Sequence, residues 1–191
     1  MTVSQGVLDQ ILGHIHQYAQ EQGGWTLICI DGPAGSGKST LAAQLAPLLP
    51  AQVVHMDDLY SGWTGMLDGI EMLHSQVLEP LGHGQPGKYS RFDWMAGTYL
   101  ERHRVPPADF LVVEGCGSAC RPVDQWNAFI IWVEADDGER LRRGLERDGL
   151  EAEPLWHDFM ATESLVYLEH DTRRRAHIFL NGVGEIVSQP G

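Results

Sequence analysis

The sequence predicts an α/β fold, a three-layer sandwich in which helices cover both faces of a mostly parallel sheet of about five strands. Three observations support this prediction. Short, continuous apolar runs, such as residues 25–30, are typical of buried parallel strands. Segments with apolar residues at helical spacing alternate with these runs, as in βαβ units. A length of 191 residues suits one full hydrophobic core, so residues 1–191 are expected to form a single domain.

The elements can be assigned in chain order from the spacing of apolar residues. Residues 3–20 predict a first helix, which ends at Gly23 and Gly24. Gly and Pro are frequent in residues 82–87, which are expected to be a long loop. Strands are expected at residues 25–30, 52–56, 110–113, 128–133 and 177–180, and further helices at residues 39–49, 66–78, 140–148 and 155–171.

The charge and the cysteines limit the partners and the compartment. The net charge of −13 argues against binding to nucleic acid or to an anionic membrane, since both need a basic surface. Cys29, Cys116 and Cys120 are an odd number, and Cys29 lies in an apolar strand, which is typical of a reducing compartment. No apolar run reaches transmembrane length. A cytoplasmic location is expected.

A glycine-rich motif lies between the first strand and the second helix. Residues 32–39 read GPAGSGKS, which matches G-x-x-x-x-G-K-[ST] in full. Glycines let successive backbone N–H groups approach a phosphate, and the helix that follows presents its N-terminus to the same anion. Lys38 is expected to reach the β- and γ-phosphates and Ser39 to ligate Mg²⁺. The predicted nucleotide-binding residues are Gly32, Ala34, Gly35, Ser36, Gly37, Lys38, Ser39 and Thr40.

Acidic residues follow two other predicted strands. Glu114 ends an apolar strand, where it is expected to hold Mg²⁺. Asp57 and Asp58 follow the second strand, and a carboxylate there can orient a hydroxyl and take its proton. Asp57 is the predicted base, and the choice between the two acids stays open at this point.

These motifs give the chain a resemblance to the uridine kinase-like branch of the P-loop small-molecule kinases. The resemblance extends over most of the length. The segments that carry it are GPAGSGKST, DDLY after the second strand, RFDW after the long loop, VVEG, and RLRRGLERD near residue 145. The chain departs from the family pattern at three places: Trp94 replaces a histidine, His177 replaces an acid, and GLEAEP stands where the family has a glycine-arginine pair after the lid arginines.

The resemblance implies a P-loop NTPase fold with a helical lid at about residues 140–175. It places the activating carboxylate on Asp57, the family's tyrosine on Tyr60 and the nucleoside contact on Asp93, with Arg91 beside it in the acceptor site. Arg140, Arg143 and Arg147 are spaced to line one helix face. Arg140 is expected at the nucleotide, and Arg143 and Arg147 at the transferring phosphate.

The sequence thus predicts an enzyme that uses ATP and Mg²⁺ to phosphorylate a hydroxyl of a small metabolite, with a nucleoside as the first acceptor to test. One alternative is another acceptor, such as a nucleoside monophosphate, pantothenate or a sugar acid; Arg91, Arg102 and Arg104 are the cations available for an anionic one. Another is a regulator that binds and slowly hydrolyses ATP. The sequence leaves open the choice of ATP or GTP and the oligomeric state, a homodimer included.

Overall fold

A six-stranded sheet forms the centre of the structure, in the strand order β2-β5-β1-β6-β7-β8. The computed structural model describes residues 2–188. The first five strands in this order run parallel, and β8 pairs antiparallel with β7. The prediction of an α/β sandwich with a mostly parallel sheet is confirmed. The central strands are β1 (Thr26–Asp31), β2 (Gln52–His55), β5 (Phe110–Glu114), β6 (Phe129–Val133), β7 (Ile178–Leu180) and β8 (Ile186–Val187).

Helices lie on both faces of this sheet because side chains alternate along each strand. In β1, Ile28 and Ile30 face the core under α1 and α2, whereas Leu27 and Cys29 face the core under α3 and α6. All four side chains are fully buried. The helices are α1 (Gln5–Gln22), α2 (Lys38–Leu45), α3 (Met66–Met72), α4 (Glu79–Gly82), α5 (Asp137–Asp148) and α6 (Glu153–His170).

The register of the parallel strands brings the acidic residues to one edge of the sheet. Ile30 of β1 pairs with Glu114 of β5, and Glu114 pairs with His55 of β2. The carboxyl ends of β1, β2 and β5 therefore lie side by side. The glycine-rich loop leaves β1 at this edge, and Asp57 follows β2 at the same edge. Ligands of open α/β sheets bind at this end of the strands.

A β-hairpin follows the predicted loop, in a segment to which the sequence analysis assigned no element. Strand β3 (Gly87–Asp93) pairs antiparallel with β4 (Thr98–Val105), and the two form a separate sheet. The expected loop at residues 82–87 shortens to the turn before β3. The two strands were missed because charged side chains interrupt the apolar alternation that identifies a half-buried strand.

The helix predicted at residues 66–78 is regular only over its first half. Leu73–Leu78 form wider, π-helical turns that lead directly into α4. Pro80 lies just after these turns and has no N–H to offer to the helical ladder. Of the described helices, none is long and apolar enough to cross a bilayer.

Candidate active site

The glycine-rich loop has a backbone that other residues could not adopt. Gly32 has φ of 137°, and a Cβ there would lie 2.1 Å from the carbonyl oxygen of Val133. Gly35 has φ of 77°, and its Cβ would lie 2.8 Å from the carbonyl oxygen of Arg140. Gly37 is the left-handed residue before α2 and provides no side-chain cap. The first N–H groups of α2 therefore remain free for an anion.

Lys38 starts α2 and lies over the loop. Its ammonium donates to the carbonyl oxygens of Gly32 (2.7 Å) and Pro33 (2.9 Å) and lies 3.5 Å from the thiol of Cys116. Burial acts to lower the pKa of Lys38, but Cys116, Glu114 and other negative groups raise it above its ordinary value. The side chain is therefore a fixed positive charge at the edge of the loop.

These features fit a nucleoside triphosphate with Mg²⁺. The glycine-rich loop requires glycine at positions 32 and 35, and the ammonium of Lys38 is charged. The hydroxyls of Ser39 and Thr40 are exposed to the cavity. Within residues 2–188 no group of three or more His, Cys, Asp or Glu side chains could hold a metal ion by itself. An ion held by Ser39 and Glu114 would thus need phosphate oxygens to complete its ligands, as Mg²⁺ in phosphate sites does.

Glu114 lies at the end of β5, is 5% exposed and lines the same cavity as Lys38 and Ser39. Its Oε1 is 2.6 Å from Nδ1 of His55. This hydrogen bond raises the pKa of His55, although burial opposes it. No sequence pattern pairs these residues, because they are 59 positions apart and come together only through the β2–β5 register.

Asp57 and Asp58 both line the cavity but have different surroundings. Burial by the walls of the cavity and the charge of Glu114 raise the pKa of Asp57, whereas Lys38 and Arg147 act to lower it. No cation in the described chain lies within ion-pair distance of Asp57. Asp58 is half-buried beside Tyr89 of the hairpin, and burial together with the charge of Asp58 raises the pKa of Tyr89. Asp57 is exposed to the cavity. Asp57 is therefore the acid that remains available to a substrate.

Aromatic side chains form the wall opposite the loop. Trp63 makes edge contacts with the rings of Trp94, Trp156 and Phe159, at centroid distances of 5.6, 6.0 and 6.1 Å. The indole N–H of Trp94 donates to the carbonyl oxygen of Asp57 at 2.9 Å. The hairpin thus contributes part of the cavity and holds the backbone of the acidic pair. Trp156 and Phe159 lie on α6, so this wall is built jointly by the hairpin, α6 and the segment that follows Asp58.

Tyr60, by contrast, is fully buried beneath this wall. Its hydroxyl donates to the carbonyl oxygen of Cys116. Its ring still borders the cavity, and burial raises its pKa well above the ordinary value. Tyr60 therefore shapes the floor and holds the chain that follows Glu114.

The three arginines predicted on one face of α5 take two different positions. Arg143 and Arg147 line the cavity; Arg143 also donates to the carbonyl oxygen of Gly35 at 3.2 Å. Arg147 is paired with Asp148, and its guanidinium lies 5.8 Å from the ring centre of Trp156. Arg140 is buried behind the loop and lines no part of the cavity.

Arg140 instead holds the loop from behind, together with a residue that the sequence analysis missed. Its guanidinium donates to the carbonyl oxygen of Ala34 (2.9 Å) and to Glu163 on α6 (2.8 Å). Glu163 is 1% exposed and accepts from the N–H of Ala34 (2.8 Å). The backbone N–H and C=O groups of Ala34 are therefore both held, the first by α6 and the second by α5. A lone acid in a helix pattern carries no signal for such a role.

Asp31 fixes the other side of the loop and was also missed. It is fully buried and accepts hydrogen bonds from the N–H groups of Gly32, Gly117 and Ala119. The hydroxyl of Tyr167 on α6 donates to the same carboxylate at 3.0 Å. Burial raises the pKa of Asp31 despite these bonds. Helix α6 thus contacts the loop through both Glu163 and Tyr167.

Arg91 and Asp93, predicted at the acceptor site, are on β3. Arg91 lines the cavity but is bound to Glu101 (2.5 Å) and to Asp93 (3.3 Å). Asp93 also accepts from the backbone N–H groups of Met95 and Ala96 in the hairpin turn, and it does not line the cavity. Of the predicted loop residues, Gly32 and Ser36 face away from the cavity, and the Ser36 hydroxyl is buried without a partner.

The cavity that these residues line has a volume of about 560 Å³. It contains the loop, Lys38 and Glu114 at one end and the aromatic wall at the other, with Asp57 between them. A second cavity, of about 520 Å³, opens beside Pro33 between the ends of β6 and β7. Both cavities border the phosphate loop.

Comparison with known proteins identifies the fold that carries this site. No family model and no curated protein matches the sequence. Among solved structures, the chain is similar to a possible uridine kinase from Bacillus stearothermophilus (18% identity, TM-score 0.60, covering 89% of this chain and 98% of that one). It is also similar to a candidate fructose transport system kinase from Silicibacter sp. TM1040 (19%, 0.60, 86% and 94%) and to the YGR205w protein (14%, 0.61, 97% and 98%). The resemblance found in the sequence is thus confirmed for the fold: the chain has the P-loop kinase fold.

Proposed function

We propose that the protein is a kinase that uses Mg²⁺ and ATP to phosphorylate a hydroxyl group of a small metabolite, with a nucleoside as the first acceptor to test. One observation carries this proposal. Lys38 on the phosphate loop, Glu114 and the carboxylate of Asp57 line a single cavity that also has room for an acceptor. Hydrolysis of ATP needs space beside the carboxylate only for a water molecule, whereas transfer to an acceptor needs a space of this kind with aromatic walls.

Each residue has a role in the proposed transfer. The loop N–H groups and Lys38 bind the β- and γ-phosphates. Ser39 and Glu114 would hold Mg²⁺, which when bound neutralises phosphate charge. Asp57 orients the acceptor hydroxyl and takes its proton as the oxygen bonds to the γ-phosphorus and the bond to the β,γ-bridging oxygen breaks. Arg143 and Arg147 stabilise the negative charge that develops.

The second cavity, beside Pro33, is the proposed site of the nucleoside part of ATP. It is adjacent to the loop but on the opposite side from Asp57. A triphosphate that crosses the loop between the two cavities would direct its γ-phosphate toward Asp57. Trp132 and Phe179 on its walls offer apolar surface for a base.

The charges at the acceptor end favour a neutral acceptor. Arg91 is paired with Glu101 and Asp93, and Arg147 with Asp148. Arg102 and Arg104 lie on the outer face of the hairpin, away from the cavity. Asp57 and Asp58 would repel a phosphate or carboxylate group. These observations weigh against a nucleoside monophosphate, pantothenate or a sugar acid, whereas carboxylates beside aromatic rings suit the hydroxyls and flat faces of a nucleoside or sugar.

The proposal draws further support from the neighbours in structure. One is described as a possible uridine kinase and another as a candidate fructose transport system kinase. Uridine and fructose are both neutral and rich in hydroxyl groups. This chemistry agrees with the unpaired carboxylate and aromatic wall of the present cavity.

ADP release with Mg²⁺ and ATP, alone and with nucleosides, nucleoside monophosphates, sugars and vitamin precursors, tests the proposal. We expect one neutral acceptor to stimulate release, and Asp57→Asn to reduce that stimulation by about 10²- to 10⁴-fold. Asp68→Asn, an exposed acid on α3, is the matched control and should leave the rate unchanged. Slow turnover that no acceptor stimulates, with Asp57→Asn unaffected, would instead indicate an ATP-hydrolysing regulator.

A further inference from the structure

The outer face of the hairpin carries three cations without acidic partners. Lys88, Arg102 and Arg104 are exposed, and none forms an ion pair with any residue of the described chain. The register places Lys88 opposite Arg104, and Ser90 opposite Arg102. Like charges directly opposite each other destabilise a strand pair. This outer face, defined by Lys88, Leu100, Arg102 and Arg104, therefore has a charge pattern that favours binding over stability.

The cluster contrasts with the rest of the molecule. Residues 87–105 contain four basic and two acidic residues, whereas the remainder contains nine basic and 24 acidic ones. Seven other arginines in the described chain are engaged by carboxylates, for example Arg142 with Glu139 and Glu146, and Arg173 with Glu134. The outer face of the hairpin is therefore a small basic patch on a chain that is otherwise strongly acidic.

The strongly acidic remainder also restricts what could bind there. It would repel a nucleic acid or an anionic membrane that approached the hairpin, because both extend well beyond three side chains. A protein surface with a few acids fits the small patch better. Leu100, 48% exposed on the same face, adds apolar area for such a contact.

The chain itself has a surface of this kind on α6. Leu155, Leu165 and Leu168 are 42%, 68% and 80% exposed. Asp158 and Glu169 are exposed beside them, and positions 155, 158, 165 and 169 fall on one helix face. This α6 face is acidic and apolar, as the hairpin face is basic and apolar.

We propose that the outer face of the hairpin binds the α6 face of a second copy of this chain. A two-fold axis would make the contact reciprocal, so that two hairpins and two helices are covered together. The inner face of the hairpin lines the acceptor cavity through Arg91 and Phe92. Association would therefore also brace one wall of that cavity.

Sedimentation analysis at low and high salt tests the association without reference to activity. We expect a dimer at low ionic strength that dissociates as salt is added, because exposed ion pairs are screened. The triple variant Lys88→Gln/Arg102→Gln/Arg104→Gln should weaken dimerisation by about tenfold or more. Arg121→Gln, which removes another exposed arginine outside the hairpin, is the matched control and should leave dimerisation unchanged.

Carbodiimide cross-linking then locates the contact. The reagent converts a carboxylate into an O-acylisourea. A lysine amine then attacks the carbonyl carbon of this ester, which forms an amide and releases the urea. The sequence has two lysines, and Lys38 is buried, so Lys88 provides the exposed side-chain amine. We expect amide links between Lys88 and Asp158 or Glu169 of another molecule. Lys88→Arg keeps the charge, and should abolish these links while the dimer persists.

Several results would overturn the proposal. A monomer at low salt, or a dimer that the triple variant does not weaken, would exclude a role for the hairpin face. Links from Lys88 only to carboxylates outside α6 would exclude the α6 face. Binding of a monomer to anionic vesicles or to DNA, lost in the triple variant, would assign the patch to that partner instead. A cooperative thermal unfolding transition in the triple variant confirms that it is folded.

Discussion

At the residue scale, the ionisation of Asp57 depends on opposing neighbours. Burial and Glu114 raise its pKa, and Lys38 and Arg147 act in the other direction. Arg147→Gln removes a positive charge, so the pKa of Asp57 rises further and less carboxylate is present at a given acidic pH. We expect the acid limb of kcat/KM to move to higher pH in this variant, alongside a lower maximum. The pH profile of acceptor-dependent ADP release measures both.

Arg142→Gln is the control for this pH prediction. Arg142 is on the same helix, but it pairs with Glu139 and Glu146 on the solvent side. Its removal should leave the acid limb in place. If both variants shift the limb equally, or neither does, Asp57 is not the group that titrates in it.

The sequence predicted the residues of the site whose chemistry is local. The motif around Lys38 and Ser39 has few alternative interpretations, and acids that end buried strands, such as Glu114, meet at one sheet edge. Residues that act across the fold were missed. Glu163 supports the loop from a helix 129 positions away from Ala34, and only packing brings them together. Arg140 was expected at the nucleotide because its spacing from Arg143 and Arg147 predicts a shared helix face. The spacing does not predict which residues that face contacts.

At the scale of elements, α5 and α6 are joined to the phosphate loop by a buried ion pair. Arg140 and Glu163 are 2.8 Å apart, with side chains 4% and 1% exposed. Glu163→Leu would leave the buried guanidinium without its only buried acidic partner in the described chain, because its other partner, Asp137, is 81% exposed. We expect a loss of about 3–5 kcal/mol in the free energy of unfolding, measured with denaturant. The double variant Arg140→Met/Glu163→Leu should recover a large part of it.

An exposed pair on the same helix is the comparison. Glu146→Gln removes one of the two acidic partners of Arg142, and the side chains of Arg142 and Glu146 are both more than half exposed. The cost should stay below about 1 kcal/mol. An equal loss in Glu163→Leu and Glu146→Gln would show that the buried pair does not join these elements.

Two glycines on different helices should respond oppositely to alanine. A Cβ on Gly144 of α5 would lie 2.2 Å from the ring of Trp156, whereas a Cβ on Gly13 of α1 meets nothing within 4 Å. Gly144→Ala should therefore cost about 1–3 kcal/mol through overpacking. Gly13→Ala should stabilise by about 0.4–1 kcal/mol, since it restricts the unfolded chain. Denaturant midpoints of the two variants measure both, and a gain in Gly144→Ala would contradict the close packing of α5 against α6.

Elements with a continuous or periodic apolar pattern were predicted, and those defined by pairing were not. Strands β1, β5 and β6 appear close to the expected positions because their side chains are buried on both faces. The hairpin was missed because its outer side chains are charged and its inner ones face a cavity. Its clearest local signal is Gly97, with φ of 66° in the turn between the strands.

At the scale of the whole molecule, ligand binding should raise stability. The loop, α2, α5 and α6 all meet at the phosphate site, so Mg²⁺ and ATP would bind the folded chain and not the unfolded one. At 100 times the dissociation constant, linkage gives about 2.7 kcal/mol. For a chain of 191 residues we expect the thermal midpoint to rise by about 5–10 °C. Lys38→Ala should lose most of this rise, and an equal rise in Lys38→Ala would contradict the proposed phosphate site.

The fold class could be predicted from the sequence, but the strand order could not. Alternating strands and helices imply a parallel sheet, and this was confirmed. The order β2-β5-β1-β6-β7 depends on which strands meet across the core, and apolar strands such as β5 and β6 have no pattern that distinguishes their neighbours. The pairing of β5 with both β1 and β2 decides that Glu114 lies beside Asp57.

The bond between the Trp94 indole and the Asp57 carbonyl has a practical consequence. Trp94 is 40% exposed at the mouth of the cavity and contacts the ring of Trp63. A molecule that enters the cavity would displace water from this indole while its N–H stays fixed. The emission of the unlabelled protein should then shift to the blue and titrate with acceptor concentration. Occupancy of the cavity could thus be followed optically, before any product forms.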